Sequence, residues 1–364
     1  MTDRPVAAIG VISGTSMDGI DVALVHTDGE RATRTPHFRA YSYSSALRAR
    51  LLDILKDPAR AERDPLADLE ADVTDAHADA VARMMDECGI ARADVSVVGM
   101  HGQTVYHRPE RRFTRQLADG ARAAERLGIA VVTRFRHADV AAGGQGAPLA
   151  PLYHRALAAD LELPLMVLNL GGVGNVTYLA RDLTLAFDTG PASALLDDFV
   201  RRRRGLEYDA DGKLSSSGTV DRGVLDRLMD NPYFDQRPPK SLDRNDFHAR
   251  AKIVETLGDA DGAATLAAFT VEATRASLRH VPIAPKRWLV TGGGRLNAAF
   301  MSGFAHAFGV PVEPVEAVGW NGDALEAELF GFLAVRSLRG LPLSLPTTTG
   351  VPEPMTGGVL SRAG

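Results

Sequence analysis

Three glycine-rich turns and one carboxylate are the residues of this chain best suited to chemistry. The turns are Ser13-Gly14-Thr15-Ser16-Met17-Asp18-Gly19 with Ile20 and Asp21 following, then Gly171-Gly172-Val173-Gly174-Asn175, and Gly292-Gly293-Gly294. A glycine-rich turn lets successive backbone N–H groups converge on an anion, and Thr15 and Ser16 add hydroxyl donors with little bulk. Gly292 to Gly294 stands between an expected strand and an expected helix, where a flat or anionic ligand reaches both backbone and helix N-terminus. Taken alone, the first turn suits an ordinary hairpin as well as a phosphate cradle, and the triple glycine suits an ordinary tight connection as well as a ligand. Three such turns in one chain favour phosphate. The carboxylate is Asp188, in Phe187-Asp188-Thr189-Gly190-Pro191. Just before a helix start, it reads either as a turn and cap residue or as a general base that orients a nucleophile.

Other chemistries lack their signatures. The chain has no G-x-x-x-x-G-K-[ST] phosphate loop, no protein-kinase H-R-D set, no H-E-x-x-H and no C-x-x-C. Gly14 to Asp18 does not form a G-x-S-x-G elbow, and Gly172-Val173-Gly174 lacks the third glycine of a dinucleotide fingerprint. Asp209-Ala210-Asp211-Gly212 opens like a calcium loop, but Val220 stands where the bidentate glutamate belongs, so a turn is expected. The basic run Arg201 to Arg204 reads as a solvated helix end whose cations suit the negative dipole. Lys240 and Arg244 lie on a loop from which a cation could reach phosphate, although solvated loop cations are more common.

The elements that must position these residues follow from hydrophobic pattern. Val6 to Ile12 and Ile20 to His26 read as a hairpin around the first turn. Leu165 to Leu170 and Val176 to Leu179 repeat that strand, glycine turn, strand plan, which hints at internal duplication. Further strands are expected at Val95 to Met100, leading into a loop at His101-Gly102-Gln103-Thr104, and at Ile129 to Thr133, leading into the glycine-rich loop Ala141 to Pro148. Leu183 to Phe187, ending at Asp188, and Trp288 to Thr291 complete the strands. Helices are expected as a pair within Ala46 to Glu87, then at Ala192 to Arg202, Arg222 to Met229, Asp259 to Leu278, from about Leu296, and at Asp323 to Arg339. Tyr208 to Val220 and Asn231 to Phe247 read as long loops, and Pro346 to Gly364 as an irregular end. Alternating strands and helices give an α/β protein with open sheets covered by helices.

Composition narrows the partners. With 364 residues, 45% of them hydrophobic and 24% charged, the chain suits about two domains. A net charge of -5 argues against nucleic acid and anionic membranes as partners and leaves small molecules. Cys88 is the single cysteine, so no intrachain disulfide forms, as suits a reducing, cytoplasmic compartment. The mean hydropathy of -0.08 and the lack of a long uncharged apolar run argue against membrane insertion. Val6 to Ile12 follows Asp3 and Arg4 and runs straight into the first turn, so it reads as a strand and not as a signal core.

Longer strings carry a resemblance. GVISGTSMDGID from Gly10, HGQTV from His101, AAGGQGAPLAP from Ala141, NLGGVGN from Asn169, FDTGP from Phe187, PPKS from Pro238, GGGRLN from Gly292 and GDALEAELF from Gly322 together resemble the anhydro-N-acetylmuramic acid kinase family, from about Ile9 to Gly350. The resemblance implies the sugar kinase, Hsp70 and actin superfamily: two actin-like (ribonuclease H-like) α/β domains with a central nucleotide and substrate cleft. Residues 1–135 would form the first, completed by about 345–364, and 136–344 the second. It implies that ATP and water convert 1,6-anhydro-N-acetylmuramic acid to N-acetylmuramic acid 6-phosphate in cell-wall sugar recycling, with Asp188 as the base. Gly14, Thr15, Ser16, Met17, Asp18, Gly19, Ile20 and Asp21 would bind ATP, with Gly172, Gly174, Asn175, Gly292 and Gly293 as further contacts. His101, Gln103, Thr104 and Glu326 would face the sugar, although Glu326 also reads as an ordinary surface glutamate of a helix. Mg²⁺ would bridge the phosphates, with no ligand identified by spacing, and the family's habit implies a homodimer.

The chain departs from the family pattern in places. Ala192-Ser193 stands where family members usually have Gly-Asn, Arg134 replaces an aspartate before Phe135, and Ala118 replaces a glycine before Asp119. These changes put the exact sugar in question, so a kinase for another 1,6-anhydrosugar such as levoglucosan stands as an alternative. A nucleotide-switched binding protein of the actin and Hsp70 type would need neither Asp188 nor Glu326.

Overall fold

The computed structural model describes residues 4–14, 17, 19–57, 59–242 and 246–364. Its strands are β1 (Val6–Ser13), β2 (Gly19–Thr27), β3 (Ala32–Ser42), β4 (Val97–Arg108), β5 (Phe113–Leu117), β6 (Val131–Thr133), β7 (Leu165–Leu170), β8 (Val173–Ala180), β9 (Leu183–Pro191), β10 (Trp288–Thr291), β11 (Val312–Pro314) and β12 (Val359–Ser361). They fall into two compact units: unit 1, Met1–Asp160 with Asp323–Gly364, and unit 2, Leu161–Gly322. The sequence expectation divided the chain at 135 and 345. The compact units part at 160 and 322, and the helix Leu325–Leu338, packed on β1, β2 and β4, falls in unit 1.

Unit 1 holds a sheet in the order β12-β6-β4-β1-β2-β3, with β5 paired to β4, and unit 2 a sheet in the order β11-β10-β7-β8-β9. The two repeat one plan. In each, a three-stranded antiparallel meander has its first strand paired in parallel with the fourth, β1 with β4 and β7 with β10, and the fourth in parallel with the next, β6 or β11. The duplication hinted at by the two strand, glycine turn, strand segments is therefore present in the sheet topology.

Unit 1 packs its helix onto bare backbone. A Cβ added to Gly10 would lie 1.7 Å from Ala327 O, and one added to Gly99 would lie 1.9 Å from Phe330 O. Only glycine admits so close an approach. Glu328, 1% exposed, fastens the same helix to β3 and to the helix Pro151–Leu157: Arg34 Nε donates to its Oε2 at 2.8 Å, Arg34 Nη2 meets Oε1 at 2.8 Å, and Tyr153 OH donates at 2.9 Å. Unit 2 is built around side chains instead. Phe234, Phe247 and Phe269 form an aromatic cluster, and the helix Asp259–Ala276 packs on β9.

Several local expectations change. His101 to Thr104 belongs to β4 and Asp188 to Pro191 belongs to β9; neither is a loop after its strand. The first expected loop, Tyr208 to Val220, contains the short helix Lys213–Ser217, and the C-terminal stretch contains a helical turn, Pro346–Thr349, and β12. No helix among the described residues is long and apolar enough to cross a membrane.

Candidate active site

The first glycine turn hangs from a buried polar relay. Ser13, the last residue of β1, receives a hydrogen bond from Tyr43 OH at 2.7 Å and lies 3.2 Å from His77 Nε2. His77 Nδ1 is 2.8 Å from Val73 O, which only accepts, so Nδ1 carries the proton and Nε2 takes one from Ser13. Burial pushes His77 down to about 4, so it stays neutral. Gln103 Nε2 donates to Gly14 O at 3.0 Å and to Thr104 O at 3.2 Å, while its Oε1 has no partner among the described residues. Met17, 1% exposed and at φ 54°, returns its N–H to Gly14 O at 3.2 Å. Gly19, Ile20 and Asp21 begin β2, and Thr15, Ser16 and Asp18 lie outside the described residues.

Of the residues expected to face a sugar, His101, Gln103 and Thr104 lie along β4, and Glu326 on the first turn of the helix Leu325–Leu338. Both His101 nitrogens are engaged: Nδ1 donates to Gly102 O at 2.9 Å, and Nε2 accepts from Arg136 Nε at 2.9 Å. Burial first, and then the Arg136 charge, hold His101 well below its ordinary range. The ring lies tilted against Phe330 with centroids 4.5 Å apart, and in this structure it accepts from Arg136 as a neutral imidazole. Arg136 Nη1 donates to Gly146 O at 2.7 Å. Burial lowers Arg136 to about 10, opposed by the charges of Glu326 and Asp139, so it remains a cation at neutral pH. Glu326 keeps an exposed surface as a whole residue, yet the protein packed about its carboxyl desolvates it and raises its pKa, with the Arg136 charge opposing the rise. Asp139 fixes the glycine-rich loop, accepting from Gly146 N at 2.6 Å, from Thr349 Oγ1 at 2.6 Å and from Ser344 Oγ.

Asp188 is held within unit 2 through its backbone and one carboxylate oxygen. It sits on β9 opposite Asn175 of β8. Its N–H donates to Lys240 O at 3.1 Å, its O accepts from Tyr233 OH at 2.7 Å, and its Oδ2 accepts from Leu242 N at 2.8 Å. Burial raises its pKa to about 7, with the Leu242 hydrogen bond and the Lys240 charge restraining the rise. A carboxyl poised near neutrality is suited to proton transfer.

The unit 2 glycines divide into two kinds. At Gly293 an added Cβ would meet nothing within 4 Å, and at Gly172 it would meet only Ala194 Cβ, at 3.4 Å, so a ligand can come close to that backbone. Gly174 and Gly292 have packing reasons of their own, since a Cβ would lie 2.7 Å from Thr189 Oγ1 and 2.4 Å from Asn169 Oδ1 respectively. Ala192 and Ser193, where the family pattern changes, return their N–H groups to Gly172 O at 3.1 Å and Gly171 O at 3.0 Å, and Ser193 Oγ also donates to Gly171 O at 2.8 Å. Asn175 lies between Asn169 and Asp188 in the ladder.

The remaining motifs resolve into structure. Asp209 spends its carboxylate on Leu214 N at 2.8 Å and on Ser215 N at 3.0 Å, which makes its segment a turn. Arg202 and Arg204 pair with Glu255 and Asp259, both at 2.7 Å, on the outside of a helix end. Arg244 lies outside the described residues. Sequence reasoning missed Arg136, Tyr233 and the link from Lys240 to Asp188. The Phe135-Arg136 pair and the PPKS string were the available signals.

Comparison with known proteins follows the same lines. Residues 6–363 match the model of the family described as anhydro-N-acetylmuramic acid kinase. A protein of that name from Rhodospirillum rubrum is 52% identical over 359 residues, covering 98% of this chain and 94% of the relative. Another from Acidiphilium cryptum is 54% identical over 361 residues, covering 98% of each. Among solved structures, component A of the (R)-2-hydroxyglutaryl-CoA dehydratase of Acidaminococcus fermentans is similar at TM-score 0.47 and 10% identity, covering 91% of this chain and 99% of that one. A ROK family glucokinase from Streptomyces griseus is similar at TM-score 0.35 and 15% identity, covering 89% and 98%.

Proposed function

We propose, from the premise that the chain belongs to the anhydro-N-acetylmuramic acid kinase family, that it uses ATP and water to convert 1,6-anhydro-N-acetylmuramic acid to N-acetylmuramic acid 6-phosphate. The observation that carries the mechanism is the Asp188 carboxyl, fixed by Leu242 N at 2.8 Å and poised at about 7. Asp188 takes a proton from the water that attacks the anomeric carbon. The bond from that carbon to O6 breaks, O6 keeps the electron pair and attacks the γ-phosphorus, and ADP leaves. One proton, one water and one phosphoryl group account for the whole reaction. Little covalent work falls to the protein, so positioning and charge neutralisation supply most of the rate.

The other residues take supporting parts. The open backbone at Gly172 and Gly293 fits phosphate oxygens, and Gly14, whose carbonyl Gln103 holds, would bring the first glycine turn to them. Mg²⁺ supplied with ATP would ride mainly on phosphate oxygens and water, as this ion prefers. Among the described residues no cluster of three or more His, Cys, Asp or Glu side chains forms a protein cage for it. Thr104 and Glu326 would meet the sugar, and Arg136, held by His101, would carry positive charge toward Glu326.

Asp188→Asn tests the assignment: turnover is expected to fall at least ~10²-fold while ATP binding by calorimetry stays nearly intact. Near-normal turnover would refute the role. Mass spectrometry in ¹⁸O water with a panel of anhydrosugars tests the reaction itself. Solvent oxygen at C1 of a 6-phosphate is expected, and ATP consumption without a phosphosugar would sink the kinase reading. Preference for another anhydrosugar would trace first to Ala192 and Ser193, which return their N–H groups to the Gly171-Gly172 turn.

A further inference from the structure

We propose that Lys240 is a positioning residue that keeps the Asp188 carboxylate both aimed and ionised, acting through a closed ring of contacts with Tyr233. The inference rests on the reading of Asp188 as the base. The ring joins Asp188 to two residues 45 and 52 positions further on: Lys240 Nζ donates to Tyr233 O at 2.8 Å, Tyr233 OH donates to Asp188 O at 2.7 Å, and Asp188 N donates to Lys240 O at 3.1 Å. Two residues on, Leu242 N reaches the carboxylate itself at 2.8 Å. The Lys240 ammonium lies 4.4 Å from the centre of the Tyr233 ring and 5.9 Å from that of Phe187, so it is fixed over two aromatic faces and is no solvated loop cation.

Position and charge then come from one side chain. Anchoring Nζ to Tyr233 O holds the irregular segment Lys240 to Leu242 beside β9, which places the Leu242 N–H under Oδ2. The same ammonium favours the charged form of the carboxylate, against burial, which favours the neutral one. Around this pair, Tyr233 faces Asp188 and Asp246, while Asp235, Arg279 and His280 face Lys240. Asp235 and Arg279 pair with each other at 2.7 Å and so largely cancel at a distance. His280 is held below its ordinary value by burial first, with the Phe234 carbonyl opposing. Half-buried Lys240 is lowered to about 8 by burial and is charged where Asp188 titrates.

The test is the pH dependence of kcat for wild type, Lys240→Met, Lys240→Gln and Lys240→Arg, with anhydro-N-acetylmuramic acid and ATP at saturation. In the wild type, kcat should rise with pH through about 7, as Asp188 loses its proton. Without the lysine charge the acid limb should move to higher pH, at a reduced plateau, and Lys240→Arg should return the limb to its wild-type place. An unmoved limb, or a loss appearing only as a raised KM for ATP, would overturn the proposal and leave Lys240 a phosphate contact or a packing residue. Thermal melting accompanies each variant. Failure of both neutral variants to fold beside an intact arginine variant would likewise overturn it, in favour of a purely structural lysine. Asp188→Asn run in parallel separates the two claims, because undiminished turnover there defeats the base itself while a stationary limb in the lysine variants defeats only its positioning.

Discussion

In unit 1 the residue expected at the sugar, Glu326, rides on a helix pressed against bare sheet backbone at Gly10 and Gly99 and bolted two residues later by Glu328 to Arg34 and Tyr153. In unit 2 the expected base, Asp188, sits on the sheet itself and is secured by a strap of irregular chain, Tyr233 to Leu242. The strand plan is common to both, so duplication supplied the frame and not the chemistry. The difference lies in what each mount controls. Both mounts desolvate their carboxyl and raise its pKa. A helix bedded on glycine sets Glu326 against a cation, Arg136, while a strap around a strand residue gives Asp188 a backbone donor, Leu242 N, as well as the Lys240 charge.

The largest expected effect follows from the glycine bed. Gly10→Val would drive methyl groups into Ala327 O, already 1.7 Å from a bare Cβ, and backbone on both sides has no room to yield. More than about 4 kcal/mol should be lost, enough to prevent a cooperative melt. Calorimetry checks this, and a stable, cooperatively folding Gly10→Val protein would break the contrast between a rigid mount and an adjustable one.

A second, smaller effect separates the units by pH. Unit 1 buries His77, His107 and His154, each held at about 4 by desolvation first, and His101, held well below its ordinary value. Unfolded, these groups bind protons near 6.5, so between 6.5 and 4 the unfolded state takes up more protons and stability falls as pH falls. Each such histidine contributes up to about 3 kcal/mol when the window is fully crossed. Amide hydrogen exchange, corrected for intrinsic rates, should show unit 1 losing protection before unit 2 on acidification. Simultaneous loss in both would remove the asymmetry.

How far the sequence spoke follows the same division. The hairpins β1 with β2 and β7 with β8 were legible because apolar, β-branched runs flank glycine turns. The edge strand β3, Ala32–Ser42, was not, since a strand half open to water carries Thr, Arg, His and even Pro36 where a core strand would be apolar. The helix Gly120–Leu127 went unread although Asp119 caps it by accepting from Ala121 N at 3.0 Å and Gly128 ends it at φ 64°. Asp188 was visible through its motif, but the groups that tune it stand 45 to 54 residues away, at Tyr233, Lys240 and Leu242, and only folding brings them together. His101 was expected to face a sugar, and the burial that commits both its nitrogens to protein partners is invisible in a string.

The smallest effect tests whether the strap exacts a cost in stability. Asp188 is 3.8 in the unfolded chain and about 7 when folded, so the folded state binds the proton more tightly. Stability contributed by this group is therefore greatest below 3.8, declines as pH rises from 3.8 to about 7, and stays at its low level above 7, where the carboxylate is charged and buried. Asp188→Asn keeps an oxygen to accept from Leu242 N and removes the charge. The variant should be more stable than wild type by about 1–2 kcal/mol at alkaline pH, a rise of a few degrees in Tm. That gain should shrink as pH falls through the window, because wild type becomes neutral too, and the histidine terms of unit 1 cancel in the comparison. A gain of equal size at pH 8.5 and pH 4.5 would mean that shape, not charge, is strained at this position; no gain at either would mean that Lys240 and Leu242 already offset the burial of the charge.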